Sequence, residues 1–126
     1  MSTELNVGIV GLGGFAGTHH NVVAELEKRG ECKLLCTCDP GLANFAARLT
    51  ELRVAERGVR TYESIEALLA AEAARLRILT IPTPIPLHAP MHRAALARGL
   101  AVYLEKPPTL DPAELDAMIA LDATAP

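Results

Sequence analysis

The residues with the clearest chemical potential form one short turn. Gly11-Leu12-Gly13-Gly14-Phe15-Ala16 follows an apolar run at residues 5–10 and opens a helical pattern. This is G-x-G-x-x-A between a strand and a helix, the context in which it binds a dinucleotide. Gly11 permits the tight turn. Gly13 lets a pyrophosphate approach the backbone, and Ala16 lets helix and strand pack closely. The backbone of Gly14 and Phe15 completes the cradle, where the helix N-terminus offers N–H groups and partial positive charge. Glycines also make ordinary strand–helix turns, so the pattern alone is a weak signal.

A second residue strengthens it. Asp39 ends the next apolar run, Lys33 to Cys38, about twenty residues further on. A carboxylate there accepts hydrogen bonds from an adenosine ribose and repels a 2′-phosphate. No Lys or Arg follows within several residues. The expected cofactor is NAD, with NADP less favoured. A plain turn aspartate before Pro40 is the competing reading.

Two further segments lie where a doubly wound sheet binds ligands, at the carboxyl ends of strands. Thr83-Pro84-Ile85-Pro86-Leu87-His88 follows one apolar run, and Glu105-Lys106-Pro107 follows another. A lysine beside a nicotinamide polarises a carbonyl or alkoxide. A surface lysine paired with its neighbour Glu105 is the alternative. His88 and His92 are four apart, but Pro90 between them spoils a two-histidine metal site, and none is expected.

The elements that must position these groups alternate between short apolar runs and helical patterns. That is the signature of a parallel sheet with helices on both faces. Strands are expected at residues 5–10, 33–38, 59–62, 76–81 and 100–104. Helices are expected at 15–29, 42–57, 64–74, 88–98 and 111–121. Gly30, Gly58 and Gly99 are the stop signals. Val22, Val23 and Leu26 form the apolar stripe of the first helix; Phe45, Ala46, Leu49 and Leu52 form that of the second. Ser64 is an N-cap, and Asp111-Pro112-Ala113-Glu114 a strong helix start. Glu51, Arg53, Glu56, Arg57, Glu66, Glu72, Arg75 and Arg77 read as solvated faces. The fold class is α/β, a doubly wound Rossmann sheet of strand order 3-2-1-4-5 lacking a sixth strand.

Composition closes off other classes. The 126 residues suit one domain, with 50% hydrophobic and 21% charged residues, so a disordered chain is excluded. A net charge of −3 argues against a nucleic-acid partner. No apolar run is long enough to span a membrane. The glycine-rich N-terminus, with Glu4 before the apolar stretch, does not read as a signal peptide. Cys32, Cys36 and Cys38 read as small buried hydrophobes of a reducing cytosol, with Cys36 and Cys38 on one side of a strand.

Taken together, the chain resembles the N-terminal domain of the glucose–fructose oxidoreductase and inositol dehydrogenase family (Gfo/Idh/MocA). The carriers are the Gly11–Ala16 turn with Gly17-Thr18-His19, Cys38-Asp39, Thr83-Pro84 with His88, and Glu105-Lys106-Pro107. The resemblance runs over nearly the whole chain. It implies that Gly11, Gly13 and Ala16 cradle the pyrophosphate and that Asp39 holds the adenosine ribose. Thr83, Pro84 and His88 line the cofactor groove, Glu105 and Lys106 sit by the nicotinamide, and Lys106 also reaches substrate as the catalytic candidate. His19 falls near the cofactor edge. Ile85 stands where the family usually has Asn. The family's second, substrate-binding domain has no counterpart in these residues, so the expectation is an N-terminal piece of a two-domain oxidoreductase.

The function expected is hydride transfer between a nicotinamide and a sugar, cyclitol or related hydroxyl compound. The chain alone is expected to bind cofactor without turnover and to self-associate. A stand-alone, non-enzymatic NAD-responsive module stays open. A CoA-binding Rossmann domain fits Asp39 and the E-K-P loop poorly.

Overall fold

The computed structural model describes residues 5–124. Its core is a five-stranded parallel sheet of order β3-β2-β1-β4-β5. The strands are β1 (Leu5–Val10), β2 (Cys32–Cys38), β3 (Arg60–Tyr62), β4 (Ile78–Ile81) and β5 (Ala101–Leu104). The helices are α1 (Ala16–Lys28), α2 (Ala46–Glu51), α3 (Ile65–Glu72), α4 (His88–Ala97) and α5 (Pro112–Thr124). Short 3-10 turns at Leu42–Phe45 and Ile85–Leu87 lead into α2 and α4. The sheet order is the one expected from the sequence.

The glycine stops act as their chemistry requires. Gly30 and Gly99 adopt φ of 72° and 75°. In each case the next residue's N–H reaches back five positions: Glu31 to the Leu26 carbonyl, and Leu100 to that of Ala95. Both are left-handed Schellman closures, which a side chain would strain. Ser64 caps α3 by accepting the Ala67 N–H at 3.1 Å. Asp111 accepts the Ala113 N–H at the start of α5.

The second helix departs from expectation. The helix expected over residues 42–57 is a 3-10 turn, then the six residues of α2, then irregular turns. Its C-terminus closes on Arg53, a non-glycine residue at φ 56°. Val54 N–H bonds the Leu49 carbonyl, and Arg53 N–H bonds that of Thr50. The Arg57 guanidinium donates to the Leu52 carbonyl at 2.8 Å and to Glu27 at 2.9 Å. These bonds fold the chain back where no glycine marked a stop.

Two residues expected on a solvated face are withdrawn from it, Arg57 in part and Glu72 completely. Arg57 is held against Glu27 of α1, and burial, although it raises the Glu27 pKa, is outweighed by the guanidinium beside it. Glu72 is completely buried. It accepts hydrogen bonds from Tyr62 Oη and pairs with Arg75 and Arg60. Burial pushes its pKa up, but these donors hold it below the ordinary carboxylate value.

The sheet buries two unequal faces. One carries Ile65, Leu68 and Leu69 of α3 and Ala95 of α4 against Val10, Cys36, Cys38, Leu79 and Ile81. The other packs Val23 of α1 on Val7, Ile9, Cys32 and Leu34. A β-bulge lies between the Val7–Leu34 and Gly8–Cys36 pairs, with Leu35 as the extra residue. It puts Leu34 on the α1 face and Leu35 with Cys36 on the α3 face. Cys36 and Cys38 thus share one side of β2, and burial pushes both thiols up to about 12. All three cysteines are buried.

Beside α1, the sheet face over β4 and β5 is uncovered. A groove of about 660 Å³ runs there, walled by Phe15, Val22, Val23, Ile78 and Tyr103 among others. Val22, expected in the core stripe, is 52% exposed at its rim. Among the described residues no helix is long and apolar enough to cross a membrane.

Candidate functional site

The glycine turn leaves β1 as expected and is braced from below. Gly11 N–H bonds the Cys38 carbonyl at 2.6 Å, tying the turn to the end of β2. Gly11 has φ 109°, and a side chain there would meet Ala16 Cβ at 3.4 Å. Gly14, at φ 59°, faces open space. A Cβ on Gly13 would come within 3.1 Å of the Phe45 ring. Phe45, expected in a core stripe, instead lies against the turn. The described hydrogen bonds leave the N–H groups of Gly13, Gly14 and Phe15 without a protein partner.

Asp39 stands across the turn from these donors. Its Oδ2 accepts the Leu12 N–H at 3.0 Å and its Oδ1 accepts the Gly41 N–H at 2.8 Å. Each oxygen keeps a free lone-pair direction. The Asp39 N–H bonds the Tyr62 carbonyl, which anchors the residue to β3. The carboxylate is therefore aimed rather than loose. An open glycine cradle beside a fixed carboxylate suits a dinucleotide, with the pyrophosphate on the turn and the ribose on Asp39.

His20 is the part of this site that the sequence did not single out. It is fully buried, and its Nε2–H donates to the Gly11 carbonyl at 3.0 Å. Burial is the main cause that lowers its pKa from 6.5 to about 4. The ring is neutral at pH 7, and its Nδ1 has no hydrogen-bond partner among the described residues. Only the two adjacent histidines on a helix start could have signalled it.

The two later loops meet at the same carboxyl edge of the sheet, beyond β4 and β5. Thr83 is half-buried and its hydroxyl lies 3.6 Å from Met91 Sδ. Pro84 is exposed at the start of the second 3-10 turn. Glu105 does not pair with Lys106. Its Oε1 is 2.8 Å from His19 Nε2, joining α1 to the loop after β5. His19 is flanked edge-on by Phe15 and Tyr103 at 5.9 and 5.6 Å. Lys106 is exposed and, among the described residues, has no carboxylate partner. Its peptide bond to Pro107 is cis.

His88 sits differently from a groove-lining residue. Its ring is 1% exposed. Nε2 is 2.8 Å from the Thr83 carbonyl, and Nδ1 is 3.0 and 3.2 Å from the carbonyls of Pro107 and Pro108. Both nitrogens are thus spent on backbone. His92 pairs with Asp122 of α5 at 2.8 Å. Among the described residues no three His, Cys, Asp or Glu side chains gather as a metal site.

Residues 5–125 match the family described as an oxidoreductase family with an NAD-binding Rossmann fold, Gfo/Idh/MocA. The chain belongs to this family. Within Gfo/Idh/MocA, the myo-inositol 2-dehydrogenase of Lactobacillus plantarum is 27% identical, with TM-score 0.78 over 98% of this chain and 34% of its own. GenD2 from gentamicin A biosynthesis, solved with NAD, is 25% identical, with TM-score 0.76 over 98% of this chain and 32% of its own. A curated relative from Amycolatopsis mediterranei, a putative UDP-kanosamine synthase oxidoreductase subunit, is 35% identical over 65 residues. That stretch is 52% of this chain and 17% of the relative. The chain thus spans about a third of the length of these solved Gfo/Idh/MocA proteins. It is the NAD-binding Rossmann part of the family fold.

Proposed function

We propose that residues 1–126 form the cofactor domain of a dehydrogenase acting on a sugar, cyclitol or related hydroxyl compound. The observation that carries this reading is the fixed Asp39 carboxylate beside the open glycine turn. The adenosine ribose would bond Asp39, and the pyrophosphate would lie on the N–H groups of Gly13, Gly14 and Phe15. The nicotinamide half would then reach Thr83, Pro84, Glu105 and Lys106. When bound, the nicotinamide supplies the hydride-carrying carbon. Lys106, exposed and without a carboxylate partner among the described residues, would stabilise the substrate oxygen electrostatically. His88 leaves the cofactor-lining set in this reading, because its nitrogens are already engaged.

The substrate class rests on what relatives are named for, an inositol dehydrogenase and a UDP-kanosamine synthase subunit. The substrate-binding part would come from chain outside these residues, so this chain alone binds cofactor without turnover. A reducing cytosolic setting fits the buried Cys36 and Cys38 thiols.

Calorimetric titration with NADH, NADPH and CoA tests the reading. NADH binds best, and Asp39→Ala weakens it about 30- to 100-fold, the value of hydrogen bonds to a charged acceptor. Preference for CoA, or NADH binding indifferent to Asp39→Ala in a folded variant, overturns it.

A further inference from the structure

Among the described residues, three backbone carbonyls face the His88 ring. Those of Thr83, Pro107 and Pro108 lie 2.8, 3.0 and 3.2 Å from its two nitrogens. The ring therefore touches two loops at once, Thr83 after β4 and Pro107 with Pro108 after β5.

We propose that His88 acts as a positioning residue, pinning the loop after β4 to the loop after β5. The ring is buried at the start of α4, where its bonds to the two loops are shielded from water. The consequence is geometric. Thr83 and Pro84 lie on one loop and Lys106 on the other, and His88 sets their separation. This role rests on the proposed function, in which the nicotinamide half lies between those loops.

The test compares NADH with ADP, which lacks the nicotinamide half, in the whole chain. His88→Phe is expected to weaken NADH about tenfold, the value of one hydrogen bond, and to leave ADP affinity unchanged. Equal weakening of both ligands, or of neither, refutes the positioning role. Should His88→Phe fail to fold, His88→Gln takes its place in the same comparison. If the wild-type chain binds neither ligand, the cofactor reading fails instead. The clamp is then decided by Lys106 amide exchange, which rises about tenfold in His88→Gln if the ring ties the loop. Unchanged exchange refutes it.

Discussion

At the residue scale, one histidine links the cofactor turn to stability. His20 supports Gly11 from beneath and is neutral because it is buried. Its folded pKa of about 4 lies below its unfolded 6.5, so the unfolded chain binds the extra proton between those values. Its contribution is complete above pH 6.5 and is lost as pH falls toward 4. The shift corresponds to about 3 kcal/mol. Urea unfolding between pH 7 and 4.5 will show stability falling on acidification, and His20→Phe will flatten that slope. The half-buried Glu27 and the buried Glu72, both with lowered pKa values, add their own loss below the ordinary carboxylate range. An unchanged slope in His20→Phe would refute this assignment.

The element scale separates what a sequence can announce from what it cannot. Gly30, Gly58 and Gly99 mark chain reversals because only glycine takes positive φ without cost. Arg53 makes the same closure of α2 without that signal. Its left-handed backbone is strained, at roughly 1–2 kcal/mol for an L-residue. Arg53→Gly will raise stability by about 0.5–1 kcal/mol, the strain relieved less the added chain entropy. The exposed Arg53–Glu56 pair that it removes is worth little. A chemical-denaturation midpoint that falls in Arg53→Gly contradicts the account. Glu72 is misread for a related reason. It sits three before Arg75 on an apparently polar helix end, yet β3 brings Tyr62 and Arg60 over it.

For the whole molecule, the unequal coverage of the sheet matters most. The α3 face is closed by α3 and α4, while beside α1 the strands β4 and β5 stay open. Phe15 and Tyr103, 58% and 59% exposed, rim that groove. Exposed apolar surface of this kind drives association. We expect the isolated chain to self-associate through the groove with a second copy. Sedimentation over a wide concentration range will give masses above 13.4 kDa. Val22→Glu, at the rim, will return it to monomer. A concentration-independent monomer in the wild type would exclude this.

The sequence by itself determined the sheet order, the glycine turn, the helix stops at Gly30 and Gly99 and the position of Asp39. These are local facts, set by which residues tolerate positive φ, which periodicity buries one face, and which spacing follows a strand. It also carried the family, because the E-K-P and T-P-x-x-x-H segments are contiguous. Tertiary structure decided what distant segments do to each other. It paired Glu105 with His19, 86 positions away, instead of Lys106. It set His88 against three carbonyls on two loops. It inserted Leu35 as a bulge that moves Leu34 and Cys36 to opposite faces, which strict alternation would have put together. Each depends on where a second chain segment lies in space, and hydrogen-bond partners tens of residues apart leave no periodic trace.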